Sequence, residues 1–167
     1  MPPAVERRPP ARRRPKDLAG YLDALSRPVF QAGMSWQVVE GKWDGIRSAF
    51  EGFDPTKVSD FGAAEVNRIL ADPGVIRSRA KIEATIDNAQ ALLELDEEHG
   101  GFGLYLQSHG AFEQTVADLK RQFRFIGDSG AYHFLYVVGE PVPPHDEWFG
   151  ASPSPRRRRG RASRSAA

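Results

Sequence analysis

The chain has no cysteine and only four histidines in 167 residues. Without thiols there is no disulfide, no cysteine nucleophile and no thiolate-bound zinc, and nothing points to an oxidising compartment. Long apolar runs are missing too, which excludes a membrane-spanning helix. The arginines near the N-terminus are not followed by the apolar segment of a secretory signal. No P-loop, Rossmann fingerprint or metalloprotease motif occurs. The expectation is a soluble, cytoplasmic, single-domain protein with no cofactor and no metal.

Acidic residues are scarce at the two ends. Residues 1–16 hold six Arg/Lys against Glu6 alone, and residues 151–167 hold six arginines and no acid. Taking these from the totals of 23 basic and 22 acidic side chains leaves 11 and 21 in residues 17–150, an acidic body between two basic arms. Arms of Pro, Arg, Ser and Ala without hydrophobic periodicity cannot offset ordering entropy by burial, so both are expected to be disordered. Such arms fit a polyanion, because each Lys/Arg set on a phosphate releases counterions. They fit equally a device that keeps an acidic domain in solution.

What is present between the arms has helical period. Leu18, Tyr21, Leu22, Leu25 and Val29 recur at helical spacing, with Pro28 expected to end or kink that helix. Ser35 is a candidate N-cap for a stripe of Trp36, Val39, Trp43, Ile46 and Phe50. Asp54-Pro55 reads as an N-cap followed by proline at the first helical position. Val66, Ile69 and Leu70 precede the turn signal Asp72-Pro73-Gly74. The longest pattern, with Ile82, Ile86, Ala89 and Leu93 on one face, stops at Gly100-Gly101. There is no strong alternation of period two. An all-α fold of seven or eight short helices follows, with residues 141–150 as a proline-bearing tail.

Four ordered blocks, "FQAGMSW" (30–36), "FDPTKV" (53–58), "LADPGVIRSRAKIEATIDNAQALLEL" (70–95) and "LKRQFRFIGDSGAYHFLYVVG" (119–139), resemble the 3-methyladenine DNA glycosylase I family, of the helix-hairpin-helix base-excision glycosylases. The resemblance implies a glycosylase-like helical domain over residues 17–150, flanked by the arms 1–16 and 151–167. It implies a monomer that acts on double-stranded DNA with alkylated bases and has no membrane partner. It implies that Trp36 stacks on the flipped base, that Gln31 and Ser35 line the polar side of the pocket, and that Gly33 permits the turn between them. Trp43, on the same stripe, is expected in the core. Arg77, Arg79 and Lys81, at the start of the long helix, are placed on the DNA backbone, as are Gly127 and the N–H groups of Ser129 and Gly130. Asp128 reads as a helix N-cap, and His133 faces either DNA or solvent.

The sequence also departs from the family pattern. The position of its base-contacting glutamate, eight residues before Trp36, is Pro28. The N-terminal segment that completes its pocket is replaced by the arginine arm, and both cysteines of its zinc site are absent, with His145 alone near a zinc histidine. The catalytic group is therefore open. Asp23, Glu40, Glu140, Asp146 and Glu147 are the candidate acids, Asp146 and Glu147 foremost because a superfamily aspartate follows the hairpin helix. A 3-methylated purine is a cationic leaving group, so binding and desolvation can carry much of the rate without that glutamate. The alternative to an enzyme is a non-catalytic helix-hairpin-helix module that binds DNA or a protein.

Overall fold

The computed structural model describes residues 12–150, and the remainder of both arms lies outside it. The described residues form nine α-helices and no strand. In order they are α1 (Leu18–Gln31), α2 (Trp36–Ala49), α3 (Pro55–Val58), α4 (Ala63–Leu70), α5 (Arg79–His99), α6 (Phe102–Gln107), α7 (Phe112–Gln122), α8 (Asp128–Val137) and α9 (His145–Gly150), with a 3-10 turn at Glu51–Phe53.

Helix boundaries follow local chemistry. The Asp54 carboxylate accepts the Thr56 N–H at 3.0 Å beneath Pro55, as the sequence predicts. Gly100 ends α5 in the left-handed region at φ 72°, which glycine adopts without a Cβ clash. Ser35 does sit at the N-cap of α2, but its side chain makes no capping bond. Asp128 is the first residue of α8, and Gly127 is the N-cap.

Pro28 neither ends nor divides α1, which continues to Gln31. The helix loses one amide donor there, but the burial of Val29 and Phe30 beyond it keeps the last turn docked.

α5 is the axis of the fold. Ile82, Ala89 and Leu92 are fully buried, whereas Leu93 is only half-buried, so the face drifts as a 3.6-residue period requires. Against α5 lie α1, α3, α4 and α6, and on α1 in turn packs the aromatic stack Trp43–Phe53–Phe50, with ring centroids 5.4 and 5.5 Å apart. Trp43 is 2% exposed and belongs to the core, as expected.

Residues 12–14 differ from the expectation for the N-terminal arm. Arg13 donates its N–H to the Val137 carbonyl at 2.7 Å, and Arg12 Nη2 reaches the Glu140 carbonyl at 2.7 Å while its guanidinium lies 4.6 Å from the Tyr136 ring centre. Arg14 pairs with the buried Glu140 carboxylate at 3.6 Å. The cause is electrostatic: the free carbonyls at the end of α8 and one buried acid attract cations that composition alone assigns to a solvated arm. Residues 1–11 and 151–167 of the two expected arms fall outside the described residues.

Candidate functional site

A cleft of about 440 Å³ opens between the end of α1 and the start of α8. Pro28, Gln31, Ala32 and Trp36 form one wall, and Phe125, Gly127, Asp128, Ser129, Gly130 and His133 the other.

The first wall is a corner. Gly33, at φ 74°, takes the chain from α1 into α2 through a conformation costly for residues with a Cβ. The corner sets Trp36 at the first position of α2, half-buried, while Val39, Trp43, Ile46 and Phe50 of the same stripe are buried. Trp36 alone of that stripe lines the cleft. The second wall begins at Phe125, a non-glycine residue at φ 62° and 42% exposed. Holding phenylalanine there costs about 1 kcal/mol or more, strain of a kind that clusters at functional sites. A Cβ on Gly130 would stand 3.1 Å from that of Pro28, so glycine lets the first turn of α8 lie against the proline.

α5 fixes both walls. Lys81 Nζ donates to the carbonyls of Phe30 at 3.0 Å and Ala32 at 2.6 Å, gripping the corner. Two turns further on, Asn88 accepts the Arg124 N–H at 2.8 Å and donates to the Arg124 carbonyl at 3.2 Å, gripping the hairpin. Both side chains are buried. Lys81 is thus corrected from a phosphate contact to an internal clamp: its ammonium is consumed by carbonyls, and burial holds its pKa below the ordinary lysine value.

Two buried polar atoms in the walls, Gln31 Nε2 and His133 Nε2, have no hydrogen-bond partner among the described residues. Burial first, then the charge of Arg27, lowers the His133 pKa below 6.5, against the opposing effect of Glu40. A neutral imidazole and an amide therefore back the cleft, each with a buried nitrogen whose hydrogen-bonding capacity is unmet. Among the described residues Asp128 is the one carboxylate that lines the cleft, and it pairs with Lys120 at 2.9 Å.

The remaining candidates divide. Gln31, Trp36, Gly127, Ser129 and Gly130 come together in the cleft, whereas Ser35 is exposed and does not line it. Arg77 is exposed, and Arg79 bonds Asn67 Oδ1 at 3.2 Å and lies 3.7 Å from Glu83. Asp146 and Glu147 are exposed on α9 and do not line the cleft, because that short helix projects them into solvent. Asp23 and Glu40 both pair with Arg27, and Glu140 is held by the N-terminal arginines. Zinc finds no donor set among the described residues. No three His, Asp or Glu side chains converge among the described residues, and the His145 ring packs 4.5 Å from that of Phe149.

Sequence reasoning missed His133 as a wall residue and Asn88 as a clamp. His133 lies one helical turn after Ser129, which the hairpin motif did place at the site. Asn88 gave no signal beyond being a polar residue two turns from Lys81 on a helix with an apolar face.

The fold and cleft define a class: an all-α domain in which a tryptophan-walled cleft opens beside a glycine-bearing helix N-terminus. The sequence matches the methyladenine glycosylase family over residues 14–122, and the chain belongs to that family. It is 32% identical to the DNA-3-methyladenine glycosylase of Haemophilus influenzae, over 65% of this chain and 70% of the relative. Identity is 31% with DNA-3-methyladenine glycosylase 1 of Escherichia coli, over the same shares. The crystal structure of a 3-methyladenine DNA glycosylase I superposes with a TM-score of 0.67 at 25% identity, covering 78% of this chain and 83% of that one.

Proposed function

We propose that this protein is a base-excision DNA glycosylase that hydrolyses the N-glycosidic bond of alkylated purines in double-stranded DNA. The observation that carries the reading is the half-buried Trp36 ring in one cleft together with the unpartnered Gln31 Nε2 and His133 Nε2. Taking a base out of the stack costs a few kcal/mol, and stacking on an aromatic ring returns about 1–3 kcal/mol. Gln31 and His133 meet the base edge.

The chemistry balances without a side-chain acid. The bond from C1′ to the purine nitrogen breaks and its electron pair goes to the cationic purine, which departs neutral. Water oxygen bonds C1′, its proton passes to solvent, and an abasic site remains. The cleft contributes orientation and a desolvated seat for the departing purine. Asp146 and Glu147 have no step in this scheme, since neither lines the cleft.

On the DNA side, Gly127 has open space where a Cβ would stand, so a phosphate can approach the N–H groups of Ser129 and Gly130 at the start of α8. The Lys120 pairing removes the repulsion Asp128 alone would exert. Arg77 and Arg79 are exposed and supply further phosphate contacts. The protein acts as a cytoplasmic monomer in this reading. No helix among the described residues is long and apolar enough to cross a membrane.

The test is chromatographic release of free bases from methylated genomic DNA. The unmutated protein should release alkylpurine, and Trp36→Ala, folded because the ring is half-exposed, should lose about ten- to a hundredfold in kcat/KM. No release above background would leave a DNA-binding module instead.

A further inference from the structure

A second cavity of about 670 Å³ adjoins the cleft and shares two wall residues with it, Ser129 and His133. These lie one turn apart on α8 and form the ridge between the two spaces. Beyond the ridge the walls are rings and prolines: Tyr132 and Tyr136 of α8, Phe149 of α9, and the segment Pro141–Pro144. The cavity is preformed, because the Tyr132 hydroxyl donates to the Pro143 carbonyl at 2.7 Å and the prolines restrict their own backbone. Among the described residues no carboxylate lines it, and the permanent cation there, Arg12, lies over the Tyr136 ring.

The cleft alone, at about 440 Å³, already falls within the ordinary range for a drug-sized ligand, about 300–1,000 Å³. A singly methylated purine leaves the second cavity unused. We infer that this cavity receives the substituent of a bulky alkylated purine, an aryl or extended alkyl group on a ring nitrogen, while the purine ring lies against Trp36 in the cleft. The aromatic and proline lining suits an uncharged flat group, and Arg12 disfavours a cationic one. The inference rests on the glycosylase reading and extends its substrates from methyl to bulky adducts through the same hydrolysis.

The experiment uses the full chain and two DNA samples, one methylated and one benzylated, with released methyladenine and benzyladenine measured by chromatography. The unmutated protein is expected to release both, with kcat/KM values within about tenfold of each other. Val142→Trp fills the second cavity from a residue that does not line the cleft. It should lower benzyladenine release at least about tenfold and leave methyladenine release within about twofold. Pro144→Trp, at an exposed position on the same wall, repeats the block should the half-buried Val142 not tolerate the larger ring. Release of methyladenine without benzyladenine by the unmutated protein would overturn this inference and leave the glycosylase reading intact. Undiminished benzyladenine release by both folded variants would overturn it as well. Release of neither base would remove the glycosylase reading and this inference together.

Discussion

Replacing Lys81 by methionine keeps the aliphatic stem but leaves the carbonyls of Phe30 and Ala32 without their shared donor. An unmet buried acceptor costs about 1–3 kcal/mol, so Lys81→Met should lower the melting temperature and loosen the corner that presents Gln31 and Trp36. A melting temperature equal to that of the unmutated protein would mean that other groups satisfy those carbonyls. His133 links stability to pH. Its folded pKa lies below 6.5, so the unfolded chain takes up a proton that the folded one refuses. This contribution to stability is therefore intact above about pH 6.5 and lost as pH falls through the window below it. Urea titrations at about pH 7.5 and about pH 5 should show that decline, and His133→Gln should reduce it. An equal decline in the variant would assign the effect to other groups.

Between elements, Asp118 of α7 ties its helix to α6 and the turn after it. Its carboxylate accepts from the Tyr105 hydroxyl at 2.5 Å, from Arg121 at 2.6 Å and from His109 Nε2 at 3.2 Å. Burial raises its pKa, but the hydrogen bonds from Tyr105, Arg121 and His109 outweigh burial and hold it at about 2. A depressed carboxylate stabilises the fold above its unfolded value of 3.8, and this contribution disappears as pH falls toward 2. Asp118→Asn should flatten that acid limb in a stability profile, and a superimposable limb would dismiss the tie. Caps and stripes at this scale were legible in the sequence: Asp54-Pro55, Gly100 and the buried run Val39, Trp43, Ile46 and Phe50 each depend on residues a few positions apart. Pro28 misled because tertiary burial of Val29 and Phe30 overrode a local preference. Lys81 misled because a basic cluster cannot disclose which of its members turns inward. The Trp36 wall was legible through the family motif, whereas His133 lies one helical turn beyond Ser129, and that this turn faces the cleft depends on how α8 packs on α1.

Across the whole molecule, an acidic body lies between basic ends. Six of the cations lie in residues 151–167. If they sit on phosphates, deleting that segment should reduce the slope of log affinity against log salt by up to about five. An unchanged slope would take this arm out of DNA binding. The described body is also fastened end to end. Arg12 and Arg13 hold Glu140 and Val137 across more than a hundred residues of chain. A protein emerging from the ribosome is made from its N-terminus at about 5–20 residues per second. The first described residues thus have no partners until α8 and the turn behind it have been synthesised. Docking of this strap, and with it the Arg12 wall of the second cavity, therefore comes after the synthesis of every helix from α1 to α8.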